Sequence, residues 1–247
     1  MTSDNGQGRR LLEVCVDDAQ GLATALAGGA DRIELCSSLI IGGLTPPRSF
    51  MRHAAGLTRL PVYPLLRPRL GDFTYSAVEV AMIADDIDAA RDAGLTGVVI
   101  GASRDDGTLD ADALGRLVKA AAGLDLTLHR AFDLVPDPFA ALETAIALGF
   151  RRILTSGCAR TVSLGWDTIA ELNRRAAGRI VIMPGGGVDP AMTTRFVREL
   201  GLTEVHASGG KARTASGRVA EFGFAPASGK RTDLEEVRRL KAALVQA

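Results

Sequence analysis

The chain has 247 residues, of which 47% are hydrophobic and 23% are charged, a balance that fits a soluble globular protein with a sizeable core. Lys plus Arg and Asp plus Glu both number 29, so the formal net charge is zero. No basic excess points to nucleic acid or to an anionic membrane surface. We therefore expect neither as a partner, and expect instead a small molecule or a second copy of the chain.

The first ten residues are polar and lack the apolar stretch of a signal peptide, and no later segment approaches the roughly 18 uninterrupted apolar residues of a membrane span. The three cysteines, Cys15, Cys36 and Cys158, are too few for a disulfide framework. We expect a cytoplasmic protein whose thiols stay reduced and serve as metal ligands or as small packing residues.

Eight apolar runs of strand length follow one another along the chain, and each precedes a segment with helical periodicity. They begin near Leu11, Asp31, Val62, Gly97, Asp125, Arg151, Ile180 and Glu204. Regular alternation of eight strands with eight helices predicts an α/β fold, a single-domain (β/α)8 TIM barrel over residues 11–247. An open doubly wound sheet is disfavoured because no G-x-G-x-x-G turn follows the first strand.

Two segments fall outside this alternation. Residues 1–10 are predicted to form a disordered N-terminal tail. The stretch from Gly209 to Arg231 is rich in Gly, Ser, Ala and basic residues and is too long for an ordinary connection, so it is predicted to be a mobile loop over the site. Two helix starts have the spacing of a capping box, Ser76 with Glu79 and Thr232 with Glu235.

The first two strands are nearly copies of each other, with Glu13 and Cys15 in the first and Glu34 and Cys36 in the second. Residues of a barrel strand alternate between the interior and the helix layer. These four side chains are therefore predicted to point inward, while the aliphatic residues between them face the helices.

Further polar residues fall at the carboxyl ends of the strands, where barrel enzymes carry their active sites. They are Arg67, His129, Asp133, Ser156 and His206. Arg67 and His129 are the cations expected to reach the two inward carboxylates, with His129 as general acid and base. Glu13, Glu34, Arg67, His129 and Asp133 are thus candidate catalytic residues. A structural ion-pair network is the competing interpretation.

An anion site is expected where strands seven and eight end. Many barrels bind phosphate there through backbone N–H groups, and glycines permit the close approach. The candidate residues are Ser156, Gly185, Gly186, Gly187, Ser208, Gly209 and Gly210. A tight turn and a helix cap are the structural alternatives.

Cys15 and Cys36 are candidate ligands of a soft metal ion. Neighbouring strands lie about 4.8 Å apart, so two inward thiols at matching positions could chelate Cu(I). Burial as small hydrophobic residues is the alternative. No His-x-x-x-His or paired short-spacing cysteines support a zinc site.

The chain resembles the CutC copper-homeostasis family from Leu11 to about Ser208. The segments that carry the resemblance are EVCVD (13–17), GADRIELC (29–36), GGLTP (42–46), RPR (67–69), HRAFD (129–133), TSG (155–157) and PGGGV (184–188). The resemblance implies a cytoplasmic barrel, often a homodimer, that takes part in copper homeostasis by binding Cu(I). The alternative is a metal-independent enzyme of lyase, isomerase or hydrolase type that acts on a small anionic or phosphorylated substrate.

Overall fold

The structure, a computed structural model, describes residues 10–214, 217–226 and 228–247. The predicted disordered tail, except for Arg10, lies outside the described residues. The eight barrel strands are β1 Leu11–Val16, β2 Arg32–Leu35, β3 Val62–Pro64, β4 Gly97–Ile100, β5 Asp125–Leu128, β6 Arg152–Thr155, β7 Val181–Pro184 and β8 Glu204–Ala207. Each begins within one residue of its predicted start.

Eight helices surround the strands, as predicted. They are α1 Ala19–Gly28, α2 Arg48–Leu57, α3 Ala77–Asp92, α4 Ala111–Ala120, α5 Pro138–Ala147, α6 Trp166–Ala176, α7 Pro190–Leu200 and, after a short helix α8 at Arg218–Glu221, α9 Leu234–Gln246. Short 3-10 helices follow β2 at Leu39–Ile41 and β5 at Arg130–Leu134. Within the described residues, no helix has the length and apolar character needed to cross a bilayer.

The strands form two parallel sheets, in the orders β3-β2-β1-β8 and β4-β5-β6-β7. A parallel bridge between Leu65 and Val99 joins the sheets on one side, and β7 contacts β8 on the other. The ring is therefore closed in sequence order, and the predicted TIM barrel is confirmed.

Alternation along the strands separates an apolar layer from a polar interior. In β1, Leu12, Val14 and Val16 belong to the hydrophobic core under the helices. Glu13 is fully buried, and Cys15 lines a cavity at the end of the barrel. The interior of this barrel is thus built partly from charged groups that need partners.

The capping box of Ser76 and Glu79 is present at the start of α3, as predicted. The corresponding prediction for α9 is wrong. Its N-cap is Asp233, whose carboxylate accepts from the backbone N–H groups of two residues in the first turn. Thr232 instead pairs with Gly210 in a β-ladder and is held in extended conformation.

The predicted loop at residues 209–231 contains regular structure. Strand β9 (Gly210–Thr214) pairs antiparallel with β10 (Ser228–Thr232). Most side chains of this ribbon are exposed, so its strands carry no alternation of apolar and polar residues. The hydrophobic pattern therefore does not indicate them.

Five charged residues meet inside the barrel near the amino ends of the strands, and we call them the floor network: Glu13, Arg32, Asp125, Arg152 and Glu204. Arg32 donates to Glu13 and, at 2.6 Å, to Glu204. Arg152 donates to Glu204 at 3.1 Å and to Asp125 at 2.9 Å. The network supplies each buried charge with a partner of opposite sign, which offsets the cost of its desolvation.

Replacement of Arg32 tests this balance. Arg32→Ala leaves Glu13 and Glu204 short of a cation, so we expect the free energy of unfolding in urea to fall by about 3–5 kcal/mol. Arg238→Ala is the matched control, because Arg238 pairs with Glu235 at an exposed helix position, where ion pairs contribute little. Equal effects of the two substitutions would show that the floor network does not stabilise the barrel.

The ionisation of Glu13 predicts a pH dependence of stability. Burial alone would raise its pKa, but Arg32 and His206 outweigh burial and lower the pKa from 4.5 to about 2. A carboxyl whose pKa is lower in the folded state stabilises the fold above its unfolded pKa. That contribution is lost as the pH falls from about 4.5 towards 2.

We therefore expect the stability advantage of the native chain over Glu13→Gln to be constant between about pH 5 and 6, below the ordinary pKa of histidine, and to shrink on acidification through this range. Denaturant unfolding at a series of pH values measures it. Glu143→Gln serves as the control, because the ion pair of Glu143 with Arg179 is exposed and its effect should vanish in high salt. An advantage of native over Glu13→Gln that does not change with pH would contradict the prediction.

Candidate functional site

A cavity of about 420 Å³ opens at the carboxyl ends of the strands, the end where barrels bind their ligands. Nine of the predicted site residues line it: Cys15, Glu34, Arg67, His129, Gly186, Gly187, Ser208, Gly209 and Gly210. Glu13, Cys36, Asp133, Ser156 and Gly185 are not part of the lining. His206, to which the sequence pattern assigns no separate role, lines it as well.

Three side chains on neighbouring strands form a cluster of metal-ligating type at the bottom of the cavity. They are Cys15 on β1, Glu34 on β2 and His206 on β8, and their ligand atoms all lie within 4.8 Å of one another. All three are buried. Strand register creates the cluster, because Cys15 is paired directly with Glu34 and Glu13 with His206.

Glu13 fixes the orientation of the His206 ring. The Nδ1 atom of His206 lies 2.7 Å from Glu13 Oε1. Because the ionised carboxylate can only accept, Nδ1 carries the hydrogen, and Nε2 faces Glu34 at 3.7 Å. A carboxylate bonded to one ring nitrogen while the other faces a ligand is the usual support of a metal-binding histidine.

The charged groups around His206 favour its protonated form. Burial opposes protonation, but the Cys15 sulfur and the Glu34 and Glu13 carboxylates raise the pKa of His206 well above its ordinary value. The pKa of Glu34 is itself raised, chiefly by burial. A metal ion bound at Nε2 would replace that proton, so metal and proton compete for the same atom.

The two predicted thiol ligands do not occupy matching positions. Because Cys15 pairs with Glu34, Cys36 lies two residues further along the chain, just past the end of β2. Its sulfur donates to Glu34 at 3.5 Å and packs beside Tyr63 and Leu65. Burial, followed by the Glu34 charge, raises the pKa of the Cys36 thiol well above its ordinary value, which disfavours the thiolate that metals bind.

The two carboxylates Glu13 and Glu34 do not form the expected hydrogen bonds with the cations Arg67 and His129. Glu13 bonds to Arg32 and His206, and neither it nor Glu34 bonds to Arg67 or His129 within the described part of the chain. The reason is that the floor network and His206 already supply the cations these carboxylates need. Arg67 and His129 instead line another part of the cavity, where both contact Phe73.

Asp133 and Ser156, proposed from sequence as a catalytic and an anion-binding residue, hold a loop together. The Asp133 carboxylate accepts from Thr155, from the backbone and hydroxyl of Ser156, from the backbone of Cys158 and from Arg130. Ser156 also donates to the Ala159 carbonyl. These bonds tie the 3-10 helix after β5 to the end of β6 and leave Asp133 no role at the cavity wall.

The glycine segments reach the cavity only in part. Gly185 continues the β7 ladder through a bond to Thr155, and a Cβ at this position would collide with Leu154. Gly186 has a φ of 104° and turns the chain into the cavity lining. On the other side, Ser208, Gly209 and Gly210 line the cavity as β8 leads into the ribbon.

His206 is the functional side chain that the sequence pattern assigns least clearly. It shares its parity with Glu204 in β8, and that alternation does indicate an inward position. Parity cannot indicate the partner, because the facing residue depends on the register of β8 against β1.

The family model of the CutC family matches residues 10–211. The family protein CutC of Sinorhizobium medicae is 52% identical over 237 residues, covering 96% of this chain and 96% of the relative. The family protein CutC of Vibrio vulnificus is 48% identical over 204 residues, covering 82% of each chain.

Among solved structures, CutC from Streptococcus agalactiae superposes with a TM-score of 0.77 at 30% identity. The superposition covers 81% of this chain and 98% of that one. The residues matched by the family model, 10–211, include the eight barrel strands. On these grounds the chain belongs to the CutC family.

Proposed function

We propose that this protein binds Cu(I) through Cys15 and His206 and acts in copper homeostasis. The observation that carries the proposal is the buried cluster of Cys15, Glu34 and His206, whose ligand atoms lie within 4.8 Å of one another. The similar Streptococcus agalactiae protein is named as a candidate for copper homeostasis, which agrees with this assignment.

The chemistry of the donor set favours a soft monovalent ion. Thiolate sulfur is a preferred ligand of Cu(I), and imidazole also suits copper. The Cys15 thiolate would neutralise the ion, while Glu13 keeps Nδ1 of His206 protonated and so leaves Nε2 to the metal. Glu34 adds a carboxylate beside the cluster, a ligand of harder character that would matter more for Zn²⁺.

Two other arrangements compete with this one. The first is Cu(I) held by Cys15 and Cys36, which requires Cys36 to lose a proton next to the Glu34 carboxylate. The second is a metal-independent enzyme. Within the described residues His129 has no hydrogen bond to either carboxylate, which argues against the acid and base pair of that hypothesis, and burial together with Arg67 lowers the pKa of His129 to about 3.

Binding of Cu(I) can be measured under reducing conditions by competition with a chromophoric chelator. Loss of a residue that hydrogen-bonds to a metal ligand typically weakens metal binding by about 10- to 100-fold. Cys15→Ser and His206→Asn remove the ligands themselves, so we expect each to weaken Cu(I) binding by more than this. Asn at position 206 can still donate to Glu13 but has no counterpart of Nε2. Glu13→Gln should fall within that smaller range.

Cys36→Ser is the matched control, since it removes a buried thiol of the same size from the neighbouring strand. Affinity close to that of the native chain is expected for this variant. If Cys36→Ser weakens binding as strongly as Cys15→Ser while His206→Asn does not, the two thiols form the site and the assignment of His206 is wrong. The cytoplasmic location and the homodimer remain predictions, for which fractionation of cells and light scattering are the direct measurements.

A further inference from the structure

Two residues that line the cavity, Arg67 and His129, each carry a buried N–H group that has no hydrogen-bond partner within the described residues. His129 is 3% exposed and lines the cavity. Its Nδ1 accepts from the backbone N–H of Ala131 and so caps the 3-10 helix that follows. The hydrogen of the neutral ring is therefore on Nε2, which is buried and has no hydrogen-bond partner within the described residues.

Arg67 is the second such group, and it is 7% exposed. Its terminal nitrogens donate to the backbone carbonyls of Ile41, Gly43 and Gly71, none of which carries a charge. Its Nε atom is buried without a partner in the described part of the chain. A buried guanidinium held only by carbonyls lacks the opposite charge that would offset its desolvation.

The side chains of Arg67 and His129 pack against the same aromatic ring. Phe73 contacts both groups, with its centroid 4.9 Å from Arg67 Cζ and 4.8 Å from the centroid of the His129 ring. The absence of a side chain at Gly101 makes room for the imidazole, because a Cβ there would collide with it. The two unpartnered donors are thus fixed in place before any ligand arrives.

From this geometry we infer that the wall formed by Arg67, Phe73 and His129 binds the carboxylate group of a small organic acid. Arg67 Nε and His129 Nε2 donate to the carboxylate, and the Arg67 charge neutralises it. The remainder of the acid lies in the cavity beside Phe73 and the apolar residues Leu39 and Leu65.

The number and kind of donors favour a carboxylate over a phosphate. At this wall, one cation and two N–H groups match a monovalent planar anion, whereas a phosphate dianion needs further donors or cations. Of the other cations in the cavity lining, Arg130 is paired with Asp133 and Lys230 belongs to β10 in the ribbon. Burial, followed by the charge of Arg67, lowers the pKa of His129 to about 3, so the imidazole supplies a hydrogen bond and no second charge at neutral pH.

This subsite is distinct from the two features expected from the sequence. The glycine segments after β7 and β8 approach the cavity from the opposite strands, and the cluster of Cys15, Glu34 and His206 is built on β1, β2 and β8. Arg67 and His129 follow β3 and β5. None of the three metal-ligating residues belongs to the subsite, so its donors are present without Cu(I).

Binding can be tested with metal-free protein and benzoate, using calorimetry and the NMR signal of the His129 Nε2–H. Benzamide has the same shape without the charge, and inorganic phosphate is the competing anion. We expect benzoate to bind and to shift the imidazole signal, with benzamide and phosphate bound at least about 10-fold more weakly, as loss of a charged hydrogen bond implies.

Two pairs of variants separate donor loss from loss of structure. His129→Asn keeps an acceptor for the Ala131 N–H but removes the Nε2 donor, whereas His129→Gln restores an N–H at similar reach. Arg67→Gln removes the unpaired charge, and Arg69→Gln is its matched control, because Arg69 pairs with Asp72 and Glu79 outside the cavity lining.

We expect a loss of benzoate affinity of about 10- to 100-fold for His129→Asn and for Arg67→Gln. His129→Gln should recover part of the affinity, and Arg69→Gln should retain all of it. Circular dichroism confirms that each variant is folded. Benzoate affinity that is unchanged in folded His129→Asn would overturn the inference. So would tighter binding of phosphate than of benzoate, or equal binding of benzamide.

Discussion

The Glu13 carboxylate is the point on which the interior of this barrel depends. One of its oxygens accepts from Arg32 in the floor network and the other from Nδ1 of His206. A fully buried charge of this kind is tolerable only when both oxygens are bonded. The bonds that stabilise Glu13 also fix the tautomer and the direction of the His206 ring, so stability and site geometry come from the same group.

The cavity above this carboxylate has two sides of different chemistry. One side, with Cys15, Glu34 and His206, is rich in electron-pair donors and suits a metal ion. The other, with Arg67 and His129, has N–H groups that lack partners among the residues the structure describes, and it suits an anion. Because the two sides need ligands of opposite charge, a single small molecule bridging a metal ion and the Arg67 side would satisfy both.

Much of the fold follows from the sequence, since strand parity, helix periodicity and regular spacing depend on residues that are close in the chain. These signals place all eight strands and the inward position of Glu13 and Glu34. These signals do not predict which residues pair when the segments are distant in the chain. The partners of Glu13 and Glu204 depend on the register around the ring, and neither Arg32 nor His206 stands out in its own strand.

The ribbon of β9 and β10 shows the same limit, because its exposed strands have no apolar face to give a pattern. Side-chain partners of Asp133 show it too. The position of Asp133 after a strand end suggests a catalytic carboxylate. In the structure, however, both of its oxygens accept hydrogen bonds from Thr155, Ser156 and Cys158, at the end of the next strand and in the loop after it.

The stagger between β1 and β2 has a consequence for how such a barrel could acquire its site. The two strands carry nearly the same sequence, yet Cys15 lies opposite Glu34, so the second copy is displaced by two residues along the barrel axis. Glu13 is thereby placed in the floor and Glu34 at the cavity. When one strand motif is repeated in neighbouring strands of a sheared barrel, equivalent residues such as Glu13 and Glu34 lie at different depths. The two copies then have different chemical surroundings although their residues are the same.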